Sequence, residues 1–196
     1  MADEPLALVF TGHMIDLPGR SRPRFPPELA DAAGAEIERR ILRHTIGMNQ
    51  ASVKGFASLA RGGDILFHEI CRKLGFTTEI MLPFAPDRFL KTSVEGAEGG
   101  CWPQRFQKLW RDTPPSRRHV LGLPQASDAY AICNGRVLER ACQYGAVQLI
   151  ALWDGGGGDG PGGTADLVAR AKRYSGREPV IIDPKDLLSQ RVERHD

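Results

Sequence analysis

The stretch Val147-Gln-Leu-Ile-Ala-Leu-Trp153 is a continuous apolar run, and a glycine-rich segment, Asp154-Gly-Gly-Gly-Gly-Asp-Gly-Pro-Gly-Gly-Thr164, follows it directly. A short apolar run of this kind predicts a strand that is buried on both faces of a sheet. Residues 164–174, beyond the glycines, are predicted to form a helix. The segment therefore predicts a strand, a glycine-rich turn and a helix in succession.

The same alternation of apolar runs and amphipathic stretches continues along the whole chain. Strands are predicted at 6–10, 53–59, 79–84, 119–123, 147–153 and 179–183. Helices are predicted at 28–42, 64–74, 103–110, 128–144, 164–174 and 184–190, with a loop leading from 84 to 100. Six apolar strands separated by helices predict an α/β fold, a Rossmann-like and mostly parallel sheet with helices on both faces. We expect a single domain over residues 1–190 and a polar tail over 191–196, and the strand order stays open.

Composition excludes several classes of protein. The chain has 196 residues, of which 41% are hydrophobic and 26% charged, so it is not intrinsically disordered. It contains 20 Arg and only 6 Lys, but the formal net charge of +2 argues against general nucleic-acid binding.

Targeting and cysteine patterns point to a cytoplasmic protein. No stretch approaches the roughly 20 apolar residues that would span a bilayer, and the acidic start lacks the pattern of a secretory signal. The four cysteines show no zinc-ligand spacing, so we expect reduced, mostly structural thiols and neither a metal nor a bound cofactor. A disulfide is the minor alternative.

The glycine-rich segment is the first of three candidate ligand-binding segments, because ligands of open parallel sheets bind beyond the carboxyl ends of the strands. Its glycines, Gly155, Gly162 and Gly163 among them, allow close backbone approach to a ligand. Unpaired N–H groups at the start of the next helix favour an anion such as phosphate. Thr164 suits the helix N-cap or could offer its hydroxyl to that anion. The alternative is a flexible surface loop before a capped helix.

The second segment is Leu59-Ala-Arg-Gly-Gly-Asp64, again between a strand and a helix. Gly62 and Gly63 would supply backbone donors, and Asp64 would cap the helix or accept a hydrogen bond from a ribose hydroxyl. His68 and Glu69, one turn further along, are candidates for acid–base chemistry. A capped helix with a polar face explains the same residues equally well.

The third segment combines Thr11-Gly12-His13 with the arginines of the following loop, Arg20, Arg22 and Arg24. Guanidinium groups suit phosphate oxygens, although such a loop is equally typical of solvated surface and His13 of a structural histidine. Asn134 and Arg136 could face the site from a helix. The aromatic residues Trp102, Phe106 and Trp110, spaced by four, are interpreted as core packing. The motifs of serine hydrolases, P-loop proteins and zinc proteases are missing from the sequence.

On these residues, the chain resembles the SLOG superfamily, which joins LONELY GUY-type phosphoribohydrolases and Smf/DprA-like proteins. Within that superfamily it is most similar to a bacterial branch that is often found beside cyclase or tetratricopeptide regions. The segments on which this resemblance rests span most of the chain and follow the order expected for the superfamily: 9–16, 57–69, 81–84 with 89–94, and 153–166. The resemblance implies a site for nucleotides or nucleotide-derived ligands, with phosphate at the glycine-rich turn.

The chain departs from this family at the motif that carries catalysis. LONELY GUY-type enzymes have P-G-G-x-G-T-x-x-E, whose glutamate assists cleavage of the N-glycosidic bond. Here Gly163 runs directly into Thr164, and the third residue after Thr164 is Leu167. Asp166 is one residue away from the glutamate position and would replace it only in a shifted register.

Three functions remain open at this stage. The leading one is a nucleotide-binding domain that senses or processes its ligand, with phosphate held by Gly162, Gly163 and Thr164 and assisted by Gly62 and Gly63. In this reading Asp64 or Asp154 would meet ribose hydroxyls, and Asn134 or Arg136 the base or a second phosphate. The second is a nucleotide N-glycosidase that uses Glu69 or Asp166. The third is an interaction module with a vestigial pocket. Self-association is an open possibility.

Overall fold

Six parallel strands form one sheet in the computed structural model, which describes residues 4–157 and 163–192. The strands are β1 (Leu6–Gly12), β2 (Val53–Ala57), β3 (Thr77–Leu82), β4 (Arg118–Val120), β5 (Ala146–Leu152) and β6 (Val180–Ile182). Their order in the sheet is β4-β3-β2-β1-β5-β6. The predicted α/β fold with a parallel sheet is therefore confirmed.

In the described part of the chain, seven α-helices cover the two faces of this sheet. They are α1 (Ala30–Thr45), α2 (Gly63–Lys73), α3 (Pro86–Ser93), α4 (Trp102–Asp112), α5 (Ala129–Tyr144), α6 (Thr164–Ser175) and α7 (Pro184–Val192). Side chains of α1, α2 and α4 share one core with Leu8 and Phe10 of β1, whereas α5 and α6 share the other with Ala7 and Val9. Successive residues of β1 enter opposite cores, which is why the strand reads as an unbroken apolar run.

The strand order places a crevice between β1 and β5. From β1 the chain adds β2, β3 and β4 on one side, and then crosses back so that β5 pairs with the free side of β1. The connection after β1 leads to α1 on one face, while that after β5 leads to α6 on the other. Because the two connections leave in opposite directions, the carboxyl ends of β1 and β5 flank an open crevice, the usual ligand position in such sheets.

The largest error of the sequence prediction is α3, which occupies residues 86–93 of the predicted loop. The helix has only eight residues, begins at Pro86 and buries Phe89, so its apolar periodicity is too short to stand out. Several boundaries also differ: β3 ends at Leu82, before Pro83, and α7 extends to Val192, past the predicted start of the tail.

The aromatic residues of α4 confirm the prediction of core packing. Trp102 and Phe106 are buried, and the ring of Phe106 stacks on Trp110 with centroids 6.4 Å apart. Cys71 and Cys133 are also buried, whereas Cys101 and Cys142 are exposed. None of the helices in the described part of the chain is both long enough and apolar enough to cross a bilayer.

Candidate functional site

A cavity of about 380 Å³ opens at the carboxyl edge of the sheet, in the crevice beside β1. Its walls come from the ends of β1, β2 and β5 and from α2, α3, α5 and α6. The described lining residues are Thr11, Gly12, His13, Met14, Arg24, Ser58, Ala60, Asp64, Phe89, Thr92, Ser93, Tyr130, Cys133, Asn134, Trp153, Gly163 and Thr164. All three segments that the sequence singled out contribute to this one cavity.

Glycine residues let the start of α2 approach the end of β1. A Cβ atom at Gly63 would lie 2.9 Å from Cε1 of Phe10 and 3.5 Å from Cα of Gly12. Gly62 has a φ of +87°, and a Cβ atom there would lie 2.7 Å from the backbone nitrogen of Ile15. A hydrogen bond of 3.4 Å from the Gly63 N–H to the His13 carbonyl stabilises this contact between the start of α2 and the end of β1. Gly62 and Gly63 thus shape the floor beneath the cavity and are not among its described lining residues.

His13 and Asp154 join the ends of β1 and β5. Nε2 of His13 lies 3.0 Å from Oδ1 of Asp154 and 3.2 Å from the Asp154 backbone nitrogen. Burial lowers the pKa of the His13 imidazole, and the hydrogen bond and charge of Asp154 offset only part of that effect. Asp154 also accepts a hydrogen bond from the Gly156 N–H at 3.0 Å. This carboxylate is therefore engaged in ordering the loop, and it is not a described lining residue.

Asp64 is the one acidic side chain among the described residues that line the cavity. It is 7% exposed, and its Oδ2 accepts a hydrogen bond of 3.2 Å from the Ala60 N–H. Burial raises the pKa of this carboxyl to about 7, although the hydrogen bond from Ala60 acts in the opposite direction. Asp64 thus changes protonation near neutral pH inside the cavity.

Two helices start beside the cavity, but their N-caps differ from those predicted. Gly163 is the N-cap of α6 and Thr164 its first residue, so Thr164 is not the cap. Gly62 is the N-cap of α2, and Asp64, inside the helix, bonds back to Ala60 instead of capping. Both Gly163 and Thr164 line the cavity. The first turn of α6 therefore lies at the cavity wall, and its unpaired N–H groups favour an anion there.

A group of three hydroxyls on the opposite wall was not predicted from the sequence. Thr92 and Ser93 come from the end of α3 and Tyr130 from the start of α5; we call them the hydroxyl trio. Ser93 Oγ lies 2.9 Å from the Tyr130 oxygen, and the Tyr130 hydroxyl donates to Thr92 Oγ1 at 3.3 Å. Residues 92 and 93 belonged to a predicted loop, so no sequence signal paired them with Tyr130.

Several candidate residues lie away from the cavity. Glu69 is ion-paired with Arg105 of α4, Asp166 with Arg170 at 2.9 Å, and the exposed Arg136 with Glu139 at 2.7 Å. Gly155, with a φ of +76°, lies in the turn after Asp154. None of these residues is among the described lining residues, and Gly162 lies outside the described residues.

His68 is also set back from the cavity. Its side chain is fully buried, and Nε2 donates to the Ser58 carbonyl at 2.8 Å. Burial lowers the pKa of this imidazole to about 4. His68 is therefore neutral at physiological pH and supports the β2–α2 turn from below.

Of the predicted ligand-binding residues, the structure thus brings Gly12, His13, Asp64, Asn134, Gly163 and Thr164 to the cavity, together with Thr11 and Arg24 of the third segment. Within residues 4–157 and 163–192, no cluster of three or more His, Cys, Asp or Glu side chains is arranged to hold a metal ion. Comparison with known proteins adds no identity: no protein-family model matches the chain, and no curated protein is significantly similar to it.

Proposed function

We propose that this protein binds a nucleotide or nucleotide-derived ligand in the cavity beside β1. The observation that carries the proposal is the convergence of three features on one cavity. It sits at the crossover of a parallel sheet, it begins at the N-terminus of α6, and it borders the Gly12–Gly63 contact. Such a combination suits a ligand with an anionic group and an extended, partly apolar remainder.

The phosphate would lie against the first turn of α6. Gly163 and Thr164 supply backbone N–H groups and a hydroxyl there, and the helix dipole favours negative charge. Gly12 lines the same cavity at the end of β1, where the lack of a side chain allows close packing, since a Cβ atom would lie 3.0 Å from Cβ of Leu152 and from Cε1 of Phe10. Asp64 is suited to a ribose hydroxyl, since an ionised carboxylate only accepts hydrogen bonds.

A calorimetric screen tests the proposal. The intact protein is titrated with nucleoside monophosphates, cyclic nucleotides and ligands derived from nicotinamide dinucleotides. We expect at least one ligand to bind with a Kd well below about 1 mM. If no ligand in the screen binds more tightly than that, the proposal is wrong.

A matched pair of glycine variants locates the bound phosphate. Gly163→Asp places a carboxylate at the cavity wall and should weaken binding by tenfold or more, corresponding to about 1.4 kcal/mol. Gly157→Asp adds the same charge to the same loop at an exposed position with no neighbour within 4 Å, and it should bind as wild type does. If the protein is instead an interaction module with a vestigial pocket, we expect that no ligand binds and that Gly163→Asp binds its protein partner as wild type does.

Asp64 favours a second candidate function, cleavage of the ribose–base bond of the bound ligand. A carboxyl with a pKa of about 7 inside a cavity is suited to proton transfer at neutral pH. Glu69 and Asp166, the residues that the sequence suggested for this role, are held in ion pairs with Arg105 and Arg170.

Release of free base distinguishes the two functions. If the bond is cleaved, base accumulates during incubation with the wild-type protein, and Asp64→Asn abolishes its release. Glu69→Gln is the control from the same helix and should retain it. Binding without any release of base would leave the first proposal standing and exclude the second.

A further inference from the structure

The hydroxyl trio can use all three of its protons in hydrogen bonds within the protein, whichever of Ser93 and Tyr130 donates to the other. Each hydroxyl has one proton to donate and two lone pairs that accept. Thr92 donates to the Arg88 carbonyl at 3.1 Å, and Tyr130 donates to Thr92 at 3.3 Å. The remaining proton, that of Ser93, has the Tyr130 oxygen at 2.9 Å and Thr92 Oγ1 at 3.2 Å as acceptors. All three protons are thus used within the protein.

The cavity therefore meets lone pairs on this wall. Ser93 is 2% exposed and Tyr130 is partly buried, whereas Thr92 is exposed, so water is kept mainly from the oxygen of Ser93. A buried acceptor without a donor is unfavourable, and an acceptor on the ligand would add repulsion. A ligand that fills this part of the cavity should accordingly present an N–H donor to the trio.

The position of the trio identifies which part of a nucleotide it would meet. The proposed phosphate seat on α6 follows β5, whereas α3 follows β3, and β1 and β2 lie between these strands. The trio is thus on the side of the cavity away from the phosphate. The rings of Phe89 and Tyr130, which also line the cavity, supply apolar surface for a planar base beside it.

We infer that the hydroxyl trio selects ligands whose base carries an exocyclic amino group, by accepting a hydrogen bond from that group. The inference rests on the proposed function, because it names the class of nucleotide that the same cavity holds. Analogues without the amino group leave the remaining lone pairs of the trio without a donor from the ligand. Loss of one such hydrogen bond corresponds to about a tenfold weaker affinity.

Pairs of monophosphates that differ only in the amino group test the inference. The pairs are those of adenosine and purine riboside, guanosine and inosine, and cytidine and its analogue without the amino group. We expect the amino-bearing member of the pair that binds to have an affinity about tenfold higher. Equal affinities within each binding pair, or a preference for the other member, would refute the inference and retain the proposed function. If no monophosphate pair binds but a cyclic or dinucleotide ligand of the calorimetric screen does, the same comparison is made with the amino-bearing and amino-free forms of that ligand. If no ligand of the screen binds, the proposed function is wrong, and the inference with it.

Two variants connect the preference to the trio. Tyr130→Phe removes one acceptor while keeping the ring that packs on Phe84, with centroids 5.6 Å apart, and Ser93→Ala removes another. Each should reduce the preference for the amino group severalfold and leave binding of inorganic phosphate unchanged. Tyr174→Phe, at a residue that is 73% exposed on α6, is the matched control and should keep the full preference. A full preference in both trio variants would show that other residues select the base.

Discussion

Nε2 of His13 and Oδ1 of Asp154 are 3.0 Å apart, although 141 positions separate the two residues in the sequence. The contact links the loops that leave β1 and β5 toward opposite faces of the sheet. His13 lines the cavity, whereas Asp154 is not among the described lining residues. The Asp154 carboxylate therefore affects the pKa of the imidazole from outside the cavity lining. The pair therefore sets the charge of the imidazole that His13 presents to the cavity.

Replacement of Asp154 should make His13 still harder to protonate. Burial already lowers the pKa of His13, and the hydrogen bond and charge of Asp154 oppose that effect. In Asp154→Asn the charge is lost, so the pKa of His13 should fall further, as measured by NMR titration of the imidazole. Asp183→Asn, a change at an aspartate outside the described lining residues, should leave the titration of His13 unchanged. An unaltered pKa in Asp154→Asn would contradict this account.

Asp64 and His68 should affect stability in opposite directions over nearly the same pH range. As the pH falls from about 7 toward 3.8, folded Asp64 binds its proton before the unfolded chain does, so its contribution to stability rises. As the pH falls from 6.5 to about 4, His68 binds a proton only in the unfolded chain, so stability falls. Each slope is at most about 1.4 kcal/mol per pH unit, and in the wild type they largely cancel.

Variants separate the two contributions in urea-unfolding experiments at several pH values. On acidification from pH 6.5, Asp64→Asn should lose more stability than the wild type does, because the opposing contribution of Asp64 is gone. His68→Gln should lose less stability than the wild type over the same range, because its histidine contribution is gone. If the curves of both variants run parallel to that of the wild type, the assigned pKa directions are wrong.

Gly62 should tolerate alanine much less than Gly19 does. Both have positive φ angles, +87° and +76°, so both variants carry the backbone strain of about 1 kcal/mol. Only at Gly62 does the added Cβ atom meet a backbone atom, the nitrogen of Ile15 at 2.7 Å. We expect Gly62→Ala to lower the free energy of unfolding by about 2 kcal/mol more than Gly19→Ala does. Equal losses would show that the close approach is not required.

Glu79 should be important for stability although it lies outside the cavity. Its buried carboxylate on β3 accepts hydrogen bonds from Arg140 and His119 at 2.9 Å and from Lys54 at 3.2 Å. Burial raises the pKa of Glu79, but these three partners outweigh burial and hold the pKa below its usual value. Glu79→Gln should lower the free energy of unfolding by about 1–3 kcal/mol, since the cationic partners Arg140 and Lys54 lose their counter-charge.

Glu139→Gln is the control for this prediction. Glu139 is paired with Arg136 at 2.7 Å, but both side chains are about 60% exposed, so the change should stay within about 0.5 kcal/mol. Thermal or urea unfolding of the two variants measures the difference. Equal losses of unfolding free energy in the two variants would indicate that burial does not strengthen the ion pairs of Glu79.

The sequence predicted the sheet well because strands buried on both faces leave an uninterrupted apolar run, as β1 and β5 do. It predicted the site in part, because a glycine-rich turn after a parallel strand must lie at the carboxyl edge of the sheet. The position of Glu69 required the structure: it lies about 140° round α2 from Asp64, which lines the cavity, and so meets Arg105 instead.

The hydroxyl trio could not be predicted from the sequence for a different reason. Thr92, Ser93 and Tyr130 are ordinary residues at their positions, and they meet only because the end of α3 lies beside the start of α5. Recognition of α3 would have been the necessary first step. Its eight residues and few apolar positions give too weak a periodic signal.

The pairing of β1 with β5 also has a consequence for how the chain folds. All seven residues of β1 pair with β5, from Leu6 with Ala146 to Gly12 with Leu152, so one side of this central strand has no partner until residue 152 has been synthesised. Contacts across such distances in sequence form slowly, and an unpaired strand edge invites association with other chains. During synthesis, β1 must therefore stay protected while the more than 130 residues between it and β5 are made.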